Sequence, residues 1–157
     1  MKLEHRYEID LQWTGNRGEG TSGYKSYGRD HTVSTEGKHP IEGSADRTFF
    51  GDADRWNPEE LLLAALSQCH MLSYLAEAAR AGVVVMGYTD RPTGVMEQTN
   101  DGGGHFTRAV LRPKVTIADP AQAELAAALH APAAAKCFIA SSVNFPVDHE
   151  PELLTLA

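Results

Sequence analysis

One segment constrains the fold more than any other: Asn57-Pro-Glu-Glu-Leu-Leu-Leu-Ala-Ala-Leu-Ser-Gln-Cys-His. Asn57 suits a helix N-cap. Pro58 suits the first helical position, where a missing N–H costs nothing, and Glu60 completes a capping-box pattern. The pattern predicts a helix running to about Ala81 and stopping at Gly82. Leu62, Leu66, Cys69, Ser73 and Ala76 fall on one stripe at helical spacing. Leu61, Leu63, Leu72 and Leu75 widen the apolar surface around much of the helix. A helix apolar on several sides is buried on several sides. Either the chain wraps it in its own sheet, or a second copy shares it and makes a homodimer.

The rest of the chain reads mainly as strands. Tyr7, Ile9, Leu11 and Trp13 alternate with polar residues, which predicts a half-buried strand over residues 3–13. Residues 14–20 form a turn, 24–35 a second strand, and 36–56 a loop or short strands. After the helix, two strands are expected near residues 83–98 and 105–117, joined by a hairpin at Gly102-Gly103-Gly104. Pro113 in the second of them predicts a bulge or an edge. Asp119-Pro120 repeats the cap-plus-proline signal and opens an alanine-rich helix to about His130, with a break at Pro132. Cys137 falls in the short element beyond, and Val143-Asn-Phe-Pro-Val closes with a last strand. The whole predicts an α+β fold in a single domain, 1–157.

The formal net charge of −7 argues against nucleic acid or an anionic membrane as partner. No stretch approaches transmembrane length, and the start has no apolar core of signal-peptide length, so a cytoplasmic location is expected. Thiols stay reduced there, which favours a transient disulfide over a structural one. The chain has two cysteines, Cys69 and Cys137. A thiol packed as a small hydrophobe is inert, whereas one with a charged partner and a second thiol in reach can run redox chemistry. Composition and spacing alone leave both open. Glu59 by itself fits the positive end of a helix, and Arg29 by itself is a solvated strand arginine. Glu59 lies ten residues before Cys69, about 15 Å along one helix, so the two cannot meet within one copy of the helix, whereas two copies packed antiparallel would allow it. A metal site from Cys69, His70, Cys137 and His130 or His149 matches no compact ligand spacing. The glycine run lacks the lysine and the context of a phosphate loop.

The helix motif resembles the NPE[EQ]L-x7-C helix of the OsmC/Ohr family, the osmotically inducible and organic hydroperoxide resistance proteins. Gly28-Arg29-Asp30 and the strand after it resemble the family's GRDG segment, and a second cysteine follows an alanine-rich helix in both. Cys-His-Met-Leu at 69–72 is closer to an OsmC-like branch. The resemblance implies an intertwined homodimer, in which two curved antiparallel sheets enclose two central helices. It implies a hydroperoxide reductase that needs no metal, flavin or haem. Cys69 is then the peroxidatic thiol, Cys137 the resolving thiol, Arg29 the activating cation and Glu59 the partner of that arginine. Arg47 and Arg55, just before the helix, are alternatives to Arg29. The substrate implied is an organic hydroperoxide, and the reductant a dithiol of the dihydrolipoyl kind. The sequence departs from the pattern at Phe138, where proline often follows the second cysteine, at Ala140, where serine is usual, and at His70, where phenylalanine is common. His70 points about 100° away from Cys69 on a helix and reads as a packing or supporting side chain, or else as a modulator of the thiol pKa. The rival from another class is a non-catalytic dimer that binds a small apolar ligand with its thiols idle.

Overall fold

The predicted alternation produces strands, but shorter ones than the sequence suggests. β1 is Asp10–Trp13, β2 His31–Ser34 and β3 Ile41–Gly43. They form an antiparallel meander in the order β1-β2-β3, with Leu11 opposite Val33 and Val33 opposite Ile41. Residues 24–27 are turned instead of extended and the strand starts only at His31, because two glycine backbones meet there. Gly28 N donates to Gly15 O at 2.8 Å, and Trp13 Nε1 donates to Gly28 O at 2.8 Å. A Cβ on Gly15 would stand 2.0 Å from that same carbonyl, so only glycine fits. Beyond β3, Trp56 N donates to Glu42 O and Ser44 N to Trp56 O, which lays the chain before the helix along β3.

The computed structural model describes residues 3–155, and the chain divides into two compact units, one ending at Leu61 and one starting at Leu62. The long helix, α1, spans Pro58–Ala81 as the sequence predicts. Its capping box is reciprocal: Glu60 N donates to Asn57 Oδ1 at 2.8 Å, and Asn57 N donates to Glu60 Oε2 at 3.3 Å. It ends on Gly82 at φ +73°, with Val83 N donating to Ala78 O at 2.9 Å. The fully buried face is not the predicted stripe. It is Leu66, His70, Tyr74 and Ala78, each four residues after the last, and Cys69 is half-buried beside it.

In the second unit each long strand expected from the sequence is two strands. β4 (Val85–Thr89) and β5 (Thr93–Gln98) replace the first, and β6 (Gly104–Leu111) and β7 (Lys114–Ile117) the second. The breaks fall at Asp90-Arg91-Pro92 and Arg112-Pro113, where a proline has no N–H for a ladder. At each break the chain changes sheets. The alanine-rich segment is a capped 3₁₀ turn, then α2 (Ala123–Ala128) and α3 (His130–Ala135). Pro132 lies inside α3, not at a break. Its missing N–H and ring disrupt the preceding turn, so the interruption falls at Leu129. The last strand expected over 143–147 begins only at Val147, because Pro146 has no N–H for a ladder: β8 is Val147–His149, and β9 (Glu152–Thr155) follows it. One sheet has the order β4-β7-β9 and the other β5-β6-β8; β4/β7 and β5/β6 are antiparallel, while β9 and β8 join in parallel. The core has two parts. Tyr74, Ala78, Val115, Ile117, Ala126 and Ala133 form one, and Leu66, Ala109 and Leu111 the other. Burying a side chain of leucine or isoleucine size stabilises by about 1.5–3 kcal/mol. The class is α+β, as the sequence predicts.

Candidate active site

Cys69 and Cys137 come together in the second unit. Both are free thiols, Cys69 half-buried and Cys137 buried. Cys69 stands in the fourth turn of α1, one residue away from the fully buried stripe. Cys137 is placed by the end of α3, where Lys136 N donates to Pro132 O and Ala133 O. The chain then turns tightly around the second thiol. Ala140 N donates to Cys137 Sγ at 3.5 Å, and Ser141 donates to Cys137 O through both its N–H and its hydroxyl. Burial, and then the hydrogen bond with Cys69, pushes the Cys137 thiol up to about 11. Cys137 is therefore protonated at neutral pH. The sequence departures after Cys137 have a structural counterpart: Phe138 is 75% exposed, and Ser141, not Ala140, supplies the hydroxyl that holds the turn.

Arg29, Glu59, Arg47 and Arg55 all belong to the first unit. Arg29 follows the Gly15–Gly28 contact and is half-buried among aromatic faces. Its guanidinium lies 4.2 Å from the Tyr27 ring centroid, 4.6 Å from Tyr24 and 5.4 Å from Phe50. Two of its nitrogens donate to Tyr27 O at 2.6 Å and Tyr24 O at 2.7 Å. Phe50 is held at φ +63°, an uncommon conformation for an aromatic residue, which aims its ring into this group. No carboxylate pairs with Arg29 among the described residues. Glu59 is on the first turn of α1, and its Oε2 is buried without a hydrogen-bond partner. Within one chain Arg29 and Glu59 are thus not paired. Arg55 is already engaged, at 3.2 Å from Glu42 and 3.8 Å from Asp30. Arg47 is exposed.

The sequence weighed His70, His130 and His149 only as ligands of a metal site with the cysteines, and the structure gathers the three histidines into a cluster of their own. His70 Nε2 and His130 Nδ1 are 3.1 Å apart in the core, and the His149 ring is 4.3 Å from that of His70. Tyr74 stacks on His130 at 4.2 Å. Burial above all holds His70 down at about 3 and His130 at about 4, and it lowers His149 too. The four-residue spacing of Leu66, His70, Tyr74 and Ala78 was a usable signal for the first member. His130 and His149 arrive from distant strands and helices and carry no local signal. Among the described residues no group of three or more His, Cys, Asp or Glu is placed to hold a metal ion. An open cleft lined by Asp90, Arg91, Arg112, Lys114 and Glu152 is occupied by its own ion pair, Lys114 to Glu152 at 2.9 Å.

The sequence profile of OsmC-like proteins matches residues 51–152, about two thirds of the chain. The chain belongs to the OsmC-like protein family. An OsmC-like protein of unknown function from Vibrio cholerae is 31% identical, with 94% of this chain and 99% of that one covered at a TM-score of 0.83. An OsmC-like protein from Mycoplasma pneumoniae shares the fold at 14% identity and a TM-score of 0.71, covering 97% and 99% of the two chains. So does an organic hydroperoxide resistance protein from Elizabethkingia anophelis, at 17% identity and a TM-score of 0.67, covering 98% and 100%. No curated protein matches. Among the described residues no helix is long and apolar enough to cross a membrane.

Proposed function

We propose that this OsmC-like protein is a thiol-dependent hydroperoxide reductase. The observation that carries the proposal is the meeting of two free thiols, one half-exposed on a helix and one buried and protonated beside it. Cys69, as thiolate, attacks the outer oxygen of a hydroperoxide. The O–O bond breaks, an alcohol leaves, and Cys69 becomes a sulfenic acid. Cys137 then displaces water from that sulfur to give a Cys69–Cys137 disulfide, which protects Cys69 from further oxidation. A dithiol of the dihydrolipoyl kind returns both thiols. No metal or organic cofactor enters.

Attack on a peroxide needs a thiolate, and a free thiol with a pKa of about 8.5 is mostly protonated at pH 7. A guanidinium favours the thiolate and can orient the peroxide, a role assigned to Arg29 with Glu59 as its carboxylate. Both groups lack their counter-charge within one chain, which supports a homodimer in which one copy completes the other's site. Apolar neighbours in the second unit, Leu62, Leu66 and Ile139 among them, support an alkyl or lipid hydroperoxide over hydrogen peroxide. A cytoplasmic location goes with the reduced state of both thiols.

The test is consumption of cumene hydroperoxide and hydrogen peroxide by the reduced protein. Fast consumption that prefers the organic peroxide, and that Cys69→Ser abolishes, is expected. Consumption no faster than by a free thiol would overturn the reading and favour the idle-thiol dimer with an apolar ligand.

A further inference from the structure

Three side chains on one face of α1 reach the segment that carries Cys137. Tyr74 OH donates to Ala126 O at 3.0 Å, and His70 meets His130 at 3.1 Å. Glu77 Oε1 accepts from Lys136 Nζ at 2.8 Å. His130 is the first residue of α3, and Lys136 follows its last. The short helix is therefore gripped at both ends, and Cys137 leaves it immediately after the second grip. At the other side His70 is next to Cys69 in sequence. Each thiol is thus one residue from a side chain of this contact: Cys69 from His70, and Cys137 from Lys136.

The histidine pair is the buried part of the grip, and apolar side chains would fill its space without a desolvation cost. What the imidazoles add is a directional bond. Its direction follows from His70 Nδ1, which is buried with no partner. A buried N–H without an acceptor is costlier than an unused lone pair. Hence the proton of His70 sits on Nε2 and is donated to Nδ1 of His130. The groups facing the pair are His149 from β8, with Asp148 beside it, Tyr74 from α1, and Asp90 from the turn after β4.

We infer that the His70–His130 hydrogen bond is a latch that holds Cys137 against Cys69, making both histidines positioning residues for formation of the Cys69–Cys137 disulfide. The inference rests on the proposed redox pairing of the two thiols but not on peroxide as the oxidant.

The test equilibrates the full-length protein with glutathione and glutathione disulfide, then counts alkylatable thiols by mass. One glutathione disulfide takes two electrons and two protons from the Cys69 and Cys137 thiols, giving the protein disulfide and two glutathiones. His130→Phe, which keeps a ring but no acceptor, is expected to lower the equilibrium constant for the disulfide about tenfold. His130→Asn, whose side-chain oxygen can accept at the δ position, restores it to within about twofold. His70→Leu and His70→Gln form the same pair on the donor side and decide the matter if His130→Phe does not fold. Equal constants for the disrupting and restoring variants would overturn the latch. The peroxide assay separates the two ideas. No peroxide turnover with the rescue pattern intact sinks the peroxidase and leaves the latch, whereas turnover without the rescue pattern does the reverse.

Discussion

Arg29 is the residue whose chemistry is set most by its immediate surroundings. A guanidinium stacks on aromatic faces and spends some of its five N–H donors on fixed acceptors, keeping the others for a ligand. Here Tyr27 O and Tyr24 O take two, and three rings hold the plane. An ammonium would keep the charge and lose both the planar fork and the stack. Under the proposed mechanism, Arg29→Gln and Arg29→Lys each lower the rate of cumene hydroperoxide reduction by about 10²–10³-fold, the size of losing one preorganised donor. Arg47→Gln changes it by less than about twofold, because that side chain is exposed and solvated. Single-turnover rates under excess peroxide measure both. A large loss in the Arg47 variant and none at Arg29 would move the role to Arg47.

At the scale of elements, the buried contact of α1 with α3 and β8 ties stability to pH. The ordinary histidine value near 6.5 describes the unfolded chain. In the folded chain His70 titrates at about 3 and His130 at about 4, with His149 also lowered. Between those values and 6.5 the unfolded state binds protons that the folded state refuses. Stability therefore rises with pH there, is complete above about 6.5, and is lost as pH falls toward 4. Each histidine kept neutral contributes a slope of up to about 1.4 kcal/mol per pH unit. Urea unfolding at pH 7, 6 and 5 checks this, and His70→Gln should remove one histidine's share of the slope. An unchanged slope in that variant would disconnect the cluster from acid sensitivity. The same cluster shows what the sequence could and could not reveal. Local chemistry placed α1 to the residue, because Asn57, Pro58, Glu60 and Gly82 act within a few positions of themselves. The pairing of His70 with His130, and of Cys69 with Cys137, depends on sequence separations of 60 and 68 residues that no period encodes. The strands at 83–98 and 105–117 were read as continuous because their apolar pattern is continuous. Only tertiary structure shows that Pro92 and Pro113 sit where the chain changes sheets.

For the whole molecule, the decisive quantity is apolar surface left uncovered by one chain. Leu11 on β1 is 67% exposed and Leu72 on α1 60%, with Ile9, Val84 and Met86 also open. A soluble monomer rarely leaves so many large side chains in water. The expected species in solution is a homodimer, twice the 17.0 kDa chain, measured by sedimentation equilibrium. Leu72→Glu should shift it toward monomer, since a carboxylate buried at an interface loses its hydration without a partner. A homodimer would also decide how the site is assembled. Glu59 and Cys69 are about 15 Å apart along one straight helix and cannot touch in the same chain. If Glu59 supports the chemistry of a thiol, that thiol is the partner subunit's Cys69. Co-expression of Glu59→Gln with Cys69→Ser tests this directly. Each variant alone has no intact site. In a mixed dimer, the Cys69→Ser chain supplies a normal Glu59 to the Cys69 of the Glu59→Gln chain, restoring one site of two. With random pairing, half the dimers are mixed, so the preparation should regain about a quarter of wild-type peroxide turnover. Recovery no greater than the average of the two variants alone would mean that Glu59 does not serve the partner subunit's Cys69.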